Sequence, residues 1–252
     1  MKKISILMAT YNPNVEFLKE SLYSIQAQTI SDFELVIVDD GSTNCDLQTI
    51  LSAYSFDYKI IRNEHNLGLP SALNIGLKEC QGEYIARMDD DDIMYPNRLE
   101  KQLAFIQKHR GIIFCKVDRV DFNGDRVEDI SIKADITTYL KKSGNCLTHS
   151  SLFVEKNILT RIGGYNSKFT YAQDYELYMR LIDIYKFYQM DEKLIVYRVP
   201  SNLSLTKKIL SPLFCYAAAV MYFSKNKSLK NTLYFFRRSG GLMRLMYTLI
   251  KN

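Results

Sequence analysis

Through residue 110 the chain alternates four times between a short apolar run and a segment of helical spacing, and few folds accommodate that. Ile4-Ser5-Ile6-Leu7-Met8-Ala9 reads as a buried strand ending in the turn Thr10-Tyr11-Asn12-Pro13. Phe17, Leu18, Leu22 and Ile25 then recur on one helical face. Phe33 to Val38 is a second strand, followed by Asp39-Asp40-Gly41-Ser42, where Ser42 or Thr43 can cap a helix through Leu51. Tyr58 to Ile61 is a third strand, Leu69 to Lys78 a third helix and Tyr84 to Met88 a fourth strand. Leu99, Leu103 and Ile106 give a fourth helix its buried face. Strands joined through helices run parallel with right-handed crossovers, so the expected class is α/β: a Rossmann-like, mostly parallel sheet flanked by helices. Ligands of such sheets bind beyond the carboxyl ends of the strands.

That rule draws attention to Asp89-Asp90-Asp91-Asp92, directly after the fourth strand. Four adjacent carboxylates in a partly buried turn raise one another's pKa, and a divalent cation bound through oxygen ligands removes the penalty. A solvated acidic turn ahead of a helix is the competing reading, with Pro96 suited to a first helical turn. Asp39 and Asp40, after the second strand, fall along the same sheet edge and can share a ligand with the first cluster. A carboxylate there can accept from a ribose hydroxyl or a base imide N–H. Neither common phosphate loop is present: there is no GxGxxG after the first strand and no GxxxxGK[ST] anywhere. This counts against a dinucleotide-dependent oxidoreductase and against a P-loop NTPase.

Beyond 110 the pattern changes. Ile112 to Phe122, Asn123-Gly124 and Arg126 to Ile132 read as a hairpin. Leu152-Phe153-Val154 is a short strand, and Gly163-Gly164-Tyr165-Asn166 breaks the chain before a helix over 172–185. Phe187 to Val199 reads as mixed strand and turn. On the 172–185 helix Asp174 shares a face with Tyr178 and Leu181, which should point inward. A carboxyl on that face either serves as a base with a raised pKa or steadies the helix N-terminus.

Charge divides the chain. Residues 193–252 hold 11 Lys and Arg and no acidic residue, while residues 1–192 hold 22 basic and 28 acidic residues. The formal +5 therefore combines an acidic body of −6 with a basic tail of +11. Ile209 to Phe223 is the most apolar stretch but is too short to span a bilayer. Leu229, Leu233, Phe236, Leu245 and Leu249 alternate with Lys and Arg, as in helices that lie in a membrane interface or pack on a body with solvated lysines. The five cysteines are widely spaced and form no CxxC, and the three histidines are scattered, so neither a disulfide framework nor a zinc site is expected. The amino terminus, with a six-residue apolar run after Met-Lys-Lys, is too short for a signal peptide, and a cytoplasmic protein is expected.

The strings ISILMATYN, VIVDDGS and NLGLPSALNIGLKECQGEYIARMDDDDIMYPNRLEKQ closely resemble the family-2 glycosyltransferases of GT-A fold, strongly over 1–110. The resemblance is looser over 145–200, through THSSLFV, GGYN and QDYELYMRL. It implies a GT-A catalytic domain over 1–202, with a nucleotide-sugar half at 1–110 and an acceptor half at 111–202, followed by a basic amphipathic helical tail at 203–252. By the same resemblance Thr10, Tyr11, Asn12, Asp40, Asn74, Asp89 and Asp90 bind the nucleotide sugar. Asp91 takes Mn²⁺ or Mg²⁺, Asp174 is the catalytic base, and Asp92, His149 and Gln173 stand nearby. Gln173 replaces the usual Glu, and Leu73 stands where many relatives have Arg, which shifts diphosphate contact toward the metal. The implied reaction is inverting transfer from a UDP-sugar to a polysaccharide or lipid-diphosphate-linked saccharide, at the inner face of a bacterial membrane and without a nucleic-acid partner. Nucleotidyl transfer to a sugar phosphate, or a non-catalytic cation-binding module tethered to a membrane, are the alternatives.

Overall fold

The computed structural model describes residues 2–128, 135–200 and 205–225. The end of the expected hairpin and the tail beyond Lys225, with its Gly240-Gly241 interruption, lie outside the described residues.

In chain order the elements begin β1 (Ile4–Thr10), α1 (Val15–Gln26), β2 (Phe33–Asp39), α2 (Leu47–Leu51) and β3 (Tyr58–Arg62). They continue with α3 (Leu69–Glu79), β4 (Tyr84–Arg87), β5 (Ile93–Met94), α4 (Arg98–Lys108) and β6 (Ile112–Val120). The remainder are α5 (Ile136–Ser143), β7 (Phe153–Glu155), α6 (Lys156–Arg161), α7 (Gln173–Leu181), β8 (Phe187–Arg198) and α8 (Leu205–Lys225). One eight-stranded sheet takes the order β3-β2-β1-β4-β7-β6-β8-β5. Its first four strands are parallel, as the alternation predicts, and β7 then runs antiparallel to β4. The sheet is therefore mixed.

β1 is buried on both faces, which is why it reads as a continuous apolar run. Ile4, Ile6 and Met8 pack with Leu18, Leu22 and Ile25 of α1. Leu7 and Ala9 face the opposite core with Leu73 and Leu77 of α3 and Leu177 and Leu181 of α7. α8 joins this second core through Ala218, Ala219, Tyr222 and Phe223, and Phe214 packs edge-on to Phe169 at 5.6 Å. The first helix of the basic tail is thus part of the body.

Three local expectations are corrected. Asp46, not Ser42 or Thr43, caps α2, accepting from the Gln48 N–H at 3.0 Å and the Thr49 hydroxyl at 2.6 Å. The Asn-Gly turn forms, but among the described residues its return strand shrinks to one bridge, Val120 opposite Arg126. β6 finds its long partner instead in β8, in parallel. The 187–199 segment is accordingly one strand, not strand and turn: a register shift opposite Cys115–Val117 exposes Asp191, Glu192 and Lys193, and those charges broke the alternation legible in sequence.

Candidate active site

The pairing register brings the carboxyl ends of β1, β2 and β4 to one edge, with Thr10 beside Asp39 and Leu7 beside Arg87. Asn12 holds a left-handed φ of 47°, and its N–H donates to Ser42 Oγ at 2.9 Å while its side-chain oxygen accepts from the Thr43 N–H at 2.8 Å. Tyr11 beside it is half exposed. The two loops are thereby sewn together. Asp40 is buried and accepts from Asn63 Nδ2 at 2.7 Å and from the N–H groups of Leu67 and Gly68 at 3.0 and 2.8 Å. It shapes the 63–68 loop at that end of the site. Gly41 must be glycine here: at φ 84° a Cβ would sit 2.9 Å from the His65 backbone.

Next along the edge, Thr10 donates to Asp90, and the four aspartates take different environments. Burial opposes ionisation of Asp89, but the charge and hydrogen bond of Arg87 outweigh it and hold this carboxyl below the usual range. Arg87 is itself fully buried, a cation inside an otherwise apolar strand. Asp92 is also fully buried, and burial with the charges of Asp89 and Asp91 pushes it well above the usual range. Ser150 Oγ lies between Asp89, at 2.7 Å, and Asp92. One hydroxyl proton cannot serve both carboxylates at once, so the two compete for it. Burial and the charges of Asp89 and Asp90 push Asp91 up to about 7, and its carboxylate has no side-chain partner among the described residues. Oxygens of Asp89, Asp91 and Asp92 lie within 4.8 Å of one another. That donor set, all carboxylate with one member lacking a counter-charge, fits a hard divalent cation.

Arg198 at the end of β8 ties this loop down. Its N–H donates to Asp92 at 2.9 Å and its guanidinium reaches the Asp91 carbonyl and the Glu20 carboxylate, lying 4.3 Å over the Phe17 ring. Arg98 supports the loop from below, donating to the carbonyls of Arg87 and Ser150.

A cavity of about 400 Å³ opens beside the acidic loop, with Asp89 and Asp174 both on its walls. The size is ordinary for a small-molecule site. Asp174 occupies the first turn of α7, delivered by Ala172 in a left-handed conformation of φ 52°. Burial raises its pKa, while the N–H of Tyr175 at 2.7 Å and the amide of Asn145 stabilise the ionised form. His149 and Gln173 also line the cavity. Burial and the Arg87 charge keep His149 neutral, and its Nε2 is 2.9 Å from the Tyr165 hydroxyl.

Asn74, also expected at the nucleotide, is engaged by the protein's own backbone. Its amide donates to the Tyr165 carbonyl and accepts from the Tyr165 N–H, both at 2.7 Å, clamping α3 to the 163–166 turn. Gly164, at φ 70°, has no room for a Cβ there, which would lie 2.3 Å from Asn74 Oδ1. Leu73 is buried in the core. Sequence reasoning passed over Arg87, Asn145, Ser150 and Arg198. Of these only Arg87 left a trace, as a charge interrupting an apolar strand.

The sequence model described as glycosyl transferase family 2 matches residues 5–170. This chain belongs to that family. An uncharacterized glycosyltransferase of Methanocaldococcus jannaschii is 34% identical over 247 residues, covering 93% of this chain and 84% of its own. The Escherichia coli UDP-Gal:alpha-D-GlcNAc-diphosphoundecaprenol beta-1,3-galactosyltransferase is 32% identical over 186 residues, 71% of this chain and 67% of the other. Among solved structures, S. aureus TarS 1-349 in complex with UDP-GlcNAc superposes with a TM-score of 0.73 at 22% identity, over 94% of this chain and 72% of that one. The mannosyltransferase PcManGT from Pyrobaculum calidifontis, in complex with GDP-Man and Mn²⁺, gives 0.69 at 15% identity, over 97% and 75%. This family-2 glycosyltransferase therefore has the GT-A fold.

Proposed function

We propose that this glycosyltransferase moves a sugar from a UDP-sugar to a hydroxyl of a lipid-diphosphate-linked saccharide, with inversion at the anomeric carbon. The observation that carries the reading is the sharing of one cavity by Asp89 of the acidic loop and the desolvated carboxyl Asp174. The UDP donor rests on the substrates that name the galactosyltransferase relative and the TarS complex, and the lipid-linked acceptor on the former.

In this reading Thr10, Tyr11, Asn12 and Asp40, with the loop Asp40 holds, bound the nucleotide, and Asp89 and Asp90 face the ribose. Asn74 contributes by fixing the 163–166 turn beside them. Asp91, with Asp89 and Asp92, would hold Mn²⁺ or Mg²⁺, which supplies positive charge against the departing diphosphate. Asp174 accepts the proton of the acceptor hydroxyl as that oxygen forms the new bond to the anomeric carbon. The bond from that carbon to the diphosphate oxygen breaks, and UDP leaves with the bonding pair. Raised basicity suits Asp174 to the task, and Asn145 with the Tyr175 N–H fixes its orientation. Neutral His149 and Gln173 bound the acceptor without adding charge.

The domain limits fit the same reading: donor half 1–110, acceptor half 111–202 and tail 203–252. The tail is not detached from the enzyme, since Lys207, Ser211 and Cys215 of α8 line the cavity. Leu205, Ile209, Leu213 and Met221 stay 37–69% exposed on that helix. No helix among the described residues is long and apolar enough to cross a membrane. We assign the enzyme to the cytoplasmic face of the membrane, held peripherally by its basic tail on anionic lipid.

Release of UDP and product mass, read over a panel of UDP-sugars with a diphospholipid-linked saccharide, tests the assignment. Asp174→Asn should lose at least ~10²-fold in rate with UDP affinity unchanged. Loss of UDP binding in that variant would move Asp174 to the donor site and refute its role as base.

A further inference from the structure

The carboxyl of Asp174 is only as well placed as the turn that delivers it. Asn145 and the Tyr175 N–H fix its oxygens, but not the backbone on which they ride. Ala172, two residues earlier, opens α7 at φ 52° and ψ 31°, a left-handed conformation that alanine rarely adopts. Alanine also has no side-chain group with which to cap the helix. Such a conformation persists where its surroundings over-determine it. On the amino-terminal side the surroundings are polar: Asn74 grips the Tyr165 backbone, and Arg180 donates to the carbonyls of Ile162 and Gly164 at 2.9 and 2.7 Å. That clamp reaches Asn166, whose amide donates to Glu176 at 3.3 Å. Beyond it, two rings of the segment meet α8. Phe169 is buried with its ring 5.6 Å from that of Phe214, the planes at 80°, and Tyr171 meets the same Phe214 ring at 5.7 Å and 57°.

From these contacts we infer that Phe214 is a positioning residue for Asp174: its ring holds the 169–172 turn in the left-handed geometry that starts α7 with Asp174 on the cavity wall. The inference rests on the transferase reading for what Asp174 does, and on packing alone for what holds it. Without the ring, the right-handed region is the more stable choice for an alanine. Taking it changes the direction in which the chain enters α7. Asp174 moves with that change, whereas Asp89, carried by the loop after β4, does not. A ring is required rather than any apolar side chain, because one flat surface with its edge meets two aromatic neighbours at once. Leucine fills part of the volume and reproduces neither contact. The first helix of the basic tail therefore supports the base as well as closing the core.

Phe214→Leu and Phe214→Tyr, made in the full-length enzyme, separate positioning from filling. Turnover is read with the UDP-sugar and diphospholipid-linked saccharide that react fastest in the panel above, UDP affinity by calorimetry, and local opening by amide hydrogen exchange. A misplacement of about 1 Å at a reacting group costs up to about 100-fold in rate. Phe214→Leu should accordingly lower kcat about 10- to 100-fold with UDP affinity and donor KM unchanged, and Phe214→Tyr, which keeps the ring, should recover most of that loss. The Glu176 amide donates to the Ala172 carbonyl at 3.0 Å, and in Phe214→Leu its exchange should quicken about tenfold beyond any change at the Leu7 amide in β1. Unchanged kcat in Phe214→Leu, or a fall in UDP affinity matching the fall in kcat, overturns the assignment. Equal quickening of both amides overturns it too, since the ring would then be ordinary core packing. No sugar transfer by the wild type from any UDP-sugar would refute the transferase reading instead, and the exchange of Glu176 against Leu7 would still decide whether Phe214 holds the turn.

Discussion

Replacing Arg198 by Met keeps most of the side-chain volume and removes a charge that three groups share. The guanidinium donates to the Asp91 carbonyl, pairs with Glu20 and covers the Phe17 ring at 4.3 Å, while the backbone N–H to Asp92 survives the substitution. A charged donor on a buried carbonyl is worth about 1.5–3 kcal/mol. The contact with the partly buried Phe17 ring adds roughly 0.5–1 kcal/mol. The Glu20 carboxylate is 51% exposed, so its pairing contributes about 0–1 kcal/mol after solvent screening. The expected loss is therefore about 2–5 kcal/mol, out of roughly 5–15 kcal/mol for a domain of this kind, and the variant should still fold. Urea denaturation read by far-ultraviolet circular dichroism measures it. Glu20→Gln alone should cost under about 1 kcal/mol. Mn²⁺ affinity should fall in Arg198→Met, because the Asp91 backbone loses its tether. A destabilisation below about 1 kcal/mol with unchanged Mn²⁺ affinity would refute the view that β8 anchors the acidic loop.

Three further outcomes are expected. Asn145→Ala removes a hydrogen bond that favours ionised Asp174, so the acid limb of kcat should move to higher pH, with KM for the donor unchanged; an unmoved limb means Asn145 does not orient the base. Burial and the charges of Asp89 and Asp90 push the Asp91 carboxyl up to about 7, so in the proposed site Mn²⁺ would have to displace its proton below that pH. Apparent affinity should strengthen about tenfold per pH unit from 5 to 7 and then level, and Asp91→Asn should abolish the slope; a flat profile in the native enzyme counts against Asp91 as ligand. Finally, a chain ending at Lys225 keeps α8 on the body and should retain its melting temperature yet fail to float with anionic vesicles, whereas the full chain floats at low salt. Equal flotation of both would place membrane contact elsewhere.

The parallel half of the sheet was legible because local signals there agree: apolar runs of strand length, helical spacing between them and polar turns at the carboxyl ends. The acidic loop and Asp174 were legible as candidates, and Asp89 and Asp174 do line one cavity, since unusual charge in an apolar context stands out in any order of reading. What failed depends on distant partners. Ser42 looks like a cap until Asn12 occupies its hydroxyl. The hold of the Tyr165 backbone on the Asn74 amide, across 91 residues, leaves no local signal either. β8 looks broken because three charged residues sit at its bulge, and only pairing with β6 shows one strand. Ser150 and Arg198 act on carboxylates 58 and 106 residues away, a separation that spacing rules cannot see.

That last separation bears on how the enzyme is made. The acidic loop leaves the ribosome early, together with the four strands of the parallel sheet, but its tether arrives with Arg198, 106 residues after Asp92. At roughly 5–20 residues per second, the nascent chain waits about 5–20 s with adjacent carboxylates unsecured. During that interval the amino-terminal half has its strands but not the clamp on its acidic loop, and Glu20, made 178 residues before Arg198, waits longest. The final arrangement of that loop is thus set late in synthesis, when β8 joins the sheet.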